Sequence, residues 1–359
     1  MNPKKFPMPT GMLLKTDDEE KFLPFQNPTT YKDITVELKP NGEALRVYVT
    51  ADTSPVQRVT LYFADPLPEK AQVLGGVWER GYGDYEWRGY VPHRVMPWYF
   101  FLQSGNKTEA FGVHTQPAAM CWWTAESTGY SVYLDVRCGG LGVRLNGRTL
   151  CAAELCRAEY EDADGFTAMG EFFSVLSPNP HSAEIPRLRA NNWYHAYGHA
   201  TEDDVLREAK ALAELTEGLA NRPWFIIDDC WQIDRADNYN GGPWRAGNKG
   251  FPDMPDLAKK LRESGIQPGI WVRLLWDHSE SIPASWRSKR DPEYLDPSVP
   301  EVLDHIAEDI HTVSSWGYKL INTISLPTTY SAVGALKWAT SSRTAVGALR
   351  TRPARRPKF

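Results

Sequence analysis

The stretch Phe225–Trp231 constrains the fold more than any other. Phe225, Ile226 and Ile227 follow the breaker Pro223 as a short apolar run, the pattern of a buried strand. Asp228 and Asp229 then arrive at the C-terminal end of that strand. In parallel α/β folds this end is where the fold opens and ligands sit. Two neighbouring negative charges cost stability unless something pairs or hydrogen-bonds with them. Sugar hydroxyls, a metal ion or arginines would serve. Trp231 adds a flat apolar ring suited to the C–H face of a pyranose.

The chain around this stretch alternates strand and helix. Asn191-Asn192-Trp193-Tyr194 reads as a first strand. Thr201 and Asp204 form a capping-box start for a helix with Val205, Ala209, Leu212, Leu215 and Leu219 at helical spacing. After the strand at 224–229 comes a long polar loop from Asp234 to Gly250. A helix from Pro255 to Glu263 follows, with Gly265 just past its end. Gly269–Val272 is a third strand. Ser298 and Pro300 open a third helix, and Tyr318–Ile321 starts a fourth strand. Such alternation means parallel βα units. The favoured reading is the first half of a (β/α)8 TIM barrel over residues 183–321, with an open doubly wound sheet as the alternative.

The N-terminal half has a different period. Residues 1–30 read as an irregular lead-in, and 31–182 as a β-sandwich of short strands. Ile34–Leu38, Leu45–Val49 and Val59–Phe63 alternate, with a Pro-Asn-Gly turn at 40–42. Val143–Leu150 reads as a hairpin about Asn146-Gly147, a pair that tolerates the two positive φ values of a type I′ turn. An aromatic group at Trp78, Tyr82, Tyr85, Trp87 and Tyr90 is interleaved with glycines. It suits a sugar-contacting loop or a packed interface. Pro178, Pro180 and Pro186 punctuate the boundary between the halves.

With 359 residues the chain is long for one domain and suits two. A net charge of −5 argues against a nucleic-acid footprint. No apolar run is long enough to span a membrane, and no leader segment is read. Cys121, Cys138, Cys151, Cys156 and Cys230 are odd in number and lack metal spacing, so free thiols in a reducing cytoplasm are expected.

Five motifs occur in order: Asn191-Asn192-Trp193, Asp228-Asp229-Cys230-Trp231, Gly250-Phe251-Pro252, Gly269-Ile270-Trp271-Val272 and Leu295-Asp296-Pro297-Ser298-Val299-Pro300-Glu301-Val302. Together they resemble the catalytic barrel of the melibiase-type α-galactosidases, glycoside hydrolase families twenty-seven and thirty-six, closer to thirty-six. The resemblance covers roughly 185–321, and the preceding β-sandwich looks like that of family thirty-six. It implies retaining hydrolysis of terminal α-linked galactose-like sugars by two carboxylates, without cofactor or metal, and a carbohydrate as partner. It assigns Asp228 and Asp229 to substrate hydroxyls, with Trp193 and Trp231 lining the pocket and Arg273 pointing the same way.

In the family the nucleophile is the Asp of a Lys-x-Asp motif ending the fourth strand. Here that strand runs Tyr318-Lys319-Leu320-Ile321-Asn322-Thr323-Ile324, and no Asp or Glu follows Asp309. At 45 acids in 359 residues, the last fifty would hold roughly six. Residues 322–359 therefore read as an aberrant basic tail, ending in an Arg/Pro-rich run. A frameshift is one explanation: synonymous codons for Asn322–Gly334, read one nucleotide out of register, give Lys-His-Asp-Phe and then Tyr-Asp-Ile-Phe-Gly-Arg-Trp. A divergent barrel segment or a basic tail for an acidic partner is the other. With neither nucleophile nor acid/base assignable, the chain is expected to be truncated within its catalytic barrel and inactive. A non-catalytic carbohydrate-binding or scaffold protein is the alternative function.

Other readings rank lower. Asp228 and Asp229 with His195 or His278 suit a divalent metal, but neither His is at ligand spacing. His195 and His199 fall on a strand and a loop. Asp234 and Arg235 suit either substrate contact or a surface ion pair. Cys230 lacks a local base and reads as a buried thiol.

Overall fold

A computed structural model of the chain describes residues 2–78, 85–137, 141–180, 188–232, 241–289 and 291–323. These fall into two compact units, 2–180 and 188–323.

The first unit opens with β1 (Asn2–Lys4), β2 (Gly11–Thr16), β3 (Glu20–Pro24), β4 (Thr29–Tyr31), β5 (Ile34–Asn41), β6 (Ala44–Ala51) and β7 (Pro55–Phe63). It continues with β8 (Gln72–Gly75), β9 (Met96–Pro97), β10 (Tyr99–Ser104), β11 (Lys107–Val113), β12 (Met120–Glu126), β13 (Gly129–Asp135), β14 (Val143–Arg144) and β15 (Thr149–Glu161), then the helix α1 (Gly165–Leu176). One antiparallel sheet runs β4-β5-β6-β15-β11-β10-β8, with β1 on β15. The other runs β3-β2-β7-β13-β12-β9, with β14 on β7. Alternate residues of both point into one core, among them Val36, Val47, Phe100 and Leu155 from the first and Met12, Leu61, Trp123 and Val132 from the second.

Several expectations for this half change. The lead-in is not irregular: β1, β2 and β3 join the sheets, and Phe6, Met12 and Leu14 are core residues. Asn146 (φ 52) and Gly147 (φ 77) do take the two positive φ values of the expected turn. The flanking segments, however, part to different sheets, β14 to β7 and β15 to β6, so no hairpin forms.

α1 is absent from the alternating pattern. Asp164 caps it, accepting from the N–H groups of Phe166 and Thr167 at 2.9 Å each. Its buried face, Ala168, Phe172 and Leu176, covers Phe101, Ala110, Cys156, Ala158 and Tyr160 on the outer side of the first sheet. Gly112 permits the approach, since a Cβ there would meet Leu176 Cδ2 at 2.5 Å. The aromatic group packs within this unit: Trp78 meets Trp98 and Trp122 edge-on, and the Tyr90 hydroxyl donates to Pro68 O at 2.8 Å. Tyr82 lies outside the described residues, as does Cys138.

The second unit contains β16 (Arg189–Asn191), α2 (Trp193–Ala196), α3 (Glu202–Leu215), β17 (Trp224–Ile227), α4 (Met254–Glu263), β18 (Gln267–Trp271), α5 (Pro300–Ser315) and β19 (Leu320–Asn322). The strands form one parallel sheet in sequential order, β16-β17-β18-β19. Phe225, Ile226 and Ile227 are all buried, as a parallel strand covered on both faces requires. They pack with Val205 and Ala209 of α3, Leu257 and Leu261 of α4, and Val313 of α5.

Two boundaries shift. The first strand stops at Asn191, because Trp193 already begins a helical turn closed by left-handed Tyr197. α3 ends at Leu215, which is 84% exposed, so the apolar spacing does not extend to Leu219. Residues 324–359 of the basic tail, and Asp234 and Arg235 of the long loop, lie outside the described residues.

Candidate functional site

All four parallel strands end on one edge, and the acid pair follows β17 there. Asp228 is half-buried. Its N–H donates to Asn192 Oδ1 at 2.9 Å, and its Oδ2 accepts from Asn191 Nδ2. Its Oδ1 accepts from the Asp229 N–H at 2.9 Å. Asn191 and Asn192 thus tie the end of β16 to the first acid. The side chains were legible only as part of a motif, since asparagine after a strand is common in plain turns.

Asp229 is nearly buried, 6% exposed. Its Oδ1 accepts from the Cys230 N–H at 2.7 Å and from Gln232 Nε2 at 3.1 Å. Gln232, also buried, reaches Gly241 O with the same nitrogen and accepts from the Cys230 N–H at 3.1 Å. The loop is further held by Asn248, whose side chain donates to Cys230 O at 2.7 Å and whose N–H donates to Trp231 O at 2.8 Å. Nothing in the sequence marked Gln232 or Asn248. Charge-assisted bonds of this kind orient a carboxylate. Two fixed acceptors side by side are what neighbouring hydroxyls of one ligand would bind.

Trp231 is placed differently from its expected role. Its ring is fully buried, 6.0 Å from the rings of both Trp244 and Trp316, and its Nε1 donates to Trp271 O at 2.9 Å. It anchors the loop from the core and presents no face to a sugar. The apolar surroundings recruit the ring because burying it stabilises more than exposing it.

Trp193 opens α2 at the end of β16, half-buried, with its ring 5.8 Å from Tyr197. Its N–H donates to Asn191 Oδ1 at 2.7 Å. Arg273 leaves β18 two residues past its end, and its guanidinium lies 4.2 Å from the Trp276 ring centroid. The fold therefore brings Asp228, Asp229, Trp193 and Arg273 to the same sheet edge.

The two histidines of the metal reading have other neighbours. His195 stands on α2, not on a strand, and pairs with Glu208 at 2.8 Å. His278 packs against Trp276 at 5.0 Å. Among the described residues no group of three or more His, Cys, Asp or Glu side chains is arranged to hold a metal. Cys121, Cys151 and Cys156 carry free thiols, and burial pushes those of Cys121 and Cys156 well up. No helix among the described residues is long and apolar enough to cross a membrane.

Fold and site define a class: a parallel β/α unit with paired acids at its C-terminal edge, following an antiparallel β unit in sequence. In sequence the chain is similar to α-galactosidase AgaA of Geobacillus stearothermophilus, 31% identical over 138 residues, 34% of this chain and 18% of that protein. It is also similar to an α-galactosidase of Oryza sativa subsp. japonica, 25% identical over 133 residues, 37% of this chain and 28% of that protein. The alignments thus span less than a third of either relative. No family model matches the chain.

Among solved structures, TtGalA, an α-galactosidase from Thermus thermophilus, superposes with a TM-score of 0.51 at 17% identity, over 92% of this chain and 67% of that one. A variant of the family-thirty-six α-galactosidase AgaA in complex with raffinose gives 0.53 at 15%, over 94% and 61%. The likeness to α-galactosidases, and to family thirty-six among them, drawn from the motifs is thus present in sequence and in fold.

Proposed function

We propose that the chain is of glycoside hydrolase type, α-galactosidase-like, and that its second unit binds a terminal galactose-like sugar at the Asp228–Asp229 edge. The observation that carries this is the acid pair, held ready by Asn191, Asn192 and Gln232 at the C-terminal end of a parallel strand. Asp228 and Asp229 accept sugar hydroxyls, Trp193 flanks them, and Arg273 supplies a cation on the same edge. Residues 183–321 are read as the first half of a (β/α)8 barrel and 31–182 as a β-sandwich. Sequential strand order supports the barrel, because a doubly wound sheet reverses its order at a switch point. Free buried thiols suit a cytoplasmic setting.

The 359-residue chain binds without cleaving. A retaining glycosidase needs a nucleophile and an acid/base roughly 5–5.5 Å apart. The strand that would supply the nucleophile, β19, ends Leu320-Ile321-Asn322, and no carboxylate follows Asp309 in the sequence. Asp228 and Asp229 are tied up as oriented acceptors.

Calorimetric titration with galactose tests the binding. Heat of binding by the wild type and none by Asp229→Ala is the expected result; a wild type that takes up no galactose removes the proposal. An aryl α-galactoside tests the chemistry, and turnover by the pure chain would show that another carboxylate serves.

A further inference from the structure

The first unit carries a concavity of about 370 Å³ beside the turn between β12 and β13, a size within the range of small-molecule sites. Strand alternation makes it. Tyr130, Val132 and Leu134 of β13 point into the core, so Gly129, Ser131 and Tyr133 face outward. Outward side chains thus grow along the strand from none, to a hydroxymethyl, to a ring. Register sets Tyr62 of β7 on one side of Ser131 and Thr124 of β12 on the other. Gly129 stands at φ +148, and a Cβ there would meet Phe63 O at 2.1 Å, so the backbone itself keeps this end of the floor bare. The result is a short, neutral floor flanked by two tyrosines.

Both tyrosine rings are held before any ligand arrives. Tyr133 stacks on Trp122, centroids 5.0 Å apart and planes at 7°. The Arg58 guanidinium lies 5.8 Å from the Tyr133 centroid and 5.9 Å from that of Trp122. Tyr62 packs against Phe22 with centroids 5.8 Å apart. Side chains immobilised in this way lose little freedom when a ligand binds. Burial pushes the Tyr62 hydroxyl up to about 12, so at neutral pH it remains an uncharged donor.

The lining selects the chemistry of the ligand. Thr10, Thr124, Thr128 and Ser131 bring hydroxyls, each able to donate and to accept. Glu126 adds acceptors and His93 an imidazole, both exposed. No lysine or arginine is among the described residues that line the groove, so it offers nothing to a phosphate or a carboxylate. One carboxylate is too few for a hard cation, which takes six or more oxygens. Hydroxyl partners beside aromatic rings match a neutral ring compound that is apolar on its C–H faces and polar around its edge. We propose that this groove is a second carbohydrate site, taking one pyranose unit of a neutral saccharide against Tyr62 and Tyr133 over Ser131. Every lining residue belongs to the first unit, so the proposal stands apart from the Asp228–Asp229 reading.

Amide NMR of the full chain, titrated with methyl α-galactopyranoside and methyl α-glucopyranoside, tests it. Saturable shifts at the amides of Thr124, Gly129 and Ser131 are expected with at least one of the two. The affinity should be on the order of millimolar, as the ligand efficiency of a single sugar ring allows. Ser131→Leu fills the floor from an outward strand position and should abolish these shifts. Thr124→Val keeps the shape and the strand preference but removes a hydroxyl, and should weaken binding roughly threefold or more. Absence of saturable shifts at these amides with both pyranosides overturns the proposal, as do shifts that persist unchanged in Ser131→Leu and Thr124→Val. Binding at the acid pair reports on different amides, those of Asp229 and Cys230. Shifts confined to that pair remove the groove and leave the first sugar reading standing, whereas shifts confined to the groove do the reverse.

Discussion

Cys230 stands at φ +79, a left-handed conformation that side chains other than Gly, Asn and Asp rarely take. Its N–H donates to Asp229 Oδ1 and Gln232 Oε1, and its O accepts from Asn248 Nδ2; together these hold it there. Strain of this kind costs about 1–3 kcal/mol. Cys230→Val adds β-branching to that backbone and should lower stability by about 2 kcal/mol or more. Cys230→Gly relaxes the backbone but forfeits a buried thiol, so it should stay within about 1 kcal/mol of wild type. Urea unfolding of both variants checks this; equal losses would mean that packing, not backbone, governs the position. The acid pair itself was legible, since charge after an apolar run is a local pattern. The fate of Trp231 was not, because only the folded neighbours Trp244, Trp316 and Trp271 decide that its ring turns inward.

Helix starts were the most readable elements. The Thr201–Asp204 capping box forms as read: the Asp204 N–H reaches Thr201 Oγ1, and the Thr201 N–H reaches Asp204 Oδ2 at 3.0 Å. Thr201→Ala should cost α3, and with it the protein, about 1 kcal/mol, and Thr201→Ser should restore most of it. Thermal unfolding measures both; an unchanged midpoint for the alanine variant would show that tertiary packing alone sets the start of α3. Pro255 at the head of α4 and Pro300 at the head of α5 were legible for the same reason, that capping chemistry is short-range. α1 escaped because its apolar residues sit four apart in a segment that follows thirteen residues of strand. The sequence between Val143 and Leu150 encodes the turn but not the partner strands.

At the scale of the molecule, acid sensitivity follows from carboxylates that the fold loads with donors. Ser54 and Thr53 hold Asp33 far below the usual carboxylate range. Thr201, then Arg207, bring Asp204 down to about 2. A carboxylate lowered in this way contributes stability that is present above its unfolded value, near pH 4, and lost as pH falls through its folded one. The protein should therefore lose stability steeply from about pH 4 down to about pH 2, and Asp33→Asn should be less stable at neutral pH with a shallower acid limb. Melting temperatures across that range decide it; parallel limbs would show that other groups dominate. Asp309, raised by burial, works in the opposite sense and is most costly when ionised at neutral pH.

By itself the sequence determined the two periods of the chain, the alternating strands before residue 180 and the βα units after it, and it put the acids at a strand's end. Those are short-range facts, set by side-chain spacing of two or of three to four residues. Tertiary structure alone decided that residues 2–24 become sheet, that β14 and β15 part company, and that Gln232 and Asn248 clamp the acid loop. It also brought Arg245 to Asp309 from segments dozens of residues apart. Burial creates such contacts, and a linear pattern holds no record of which distant polar groups will have to satisfy one another once water is gone.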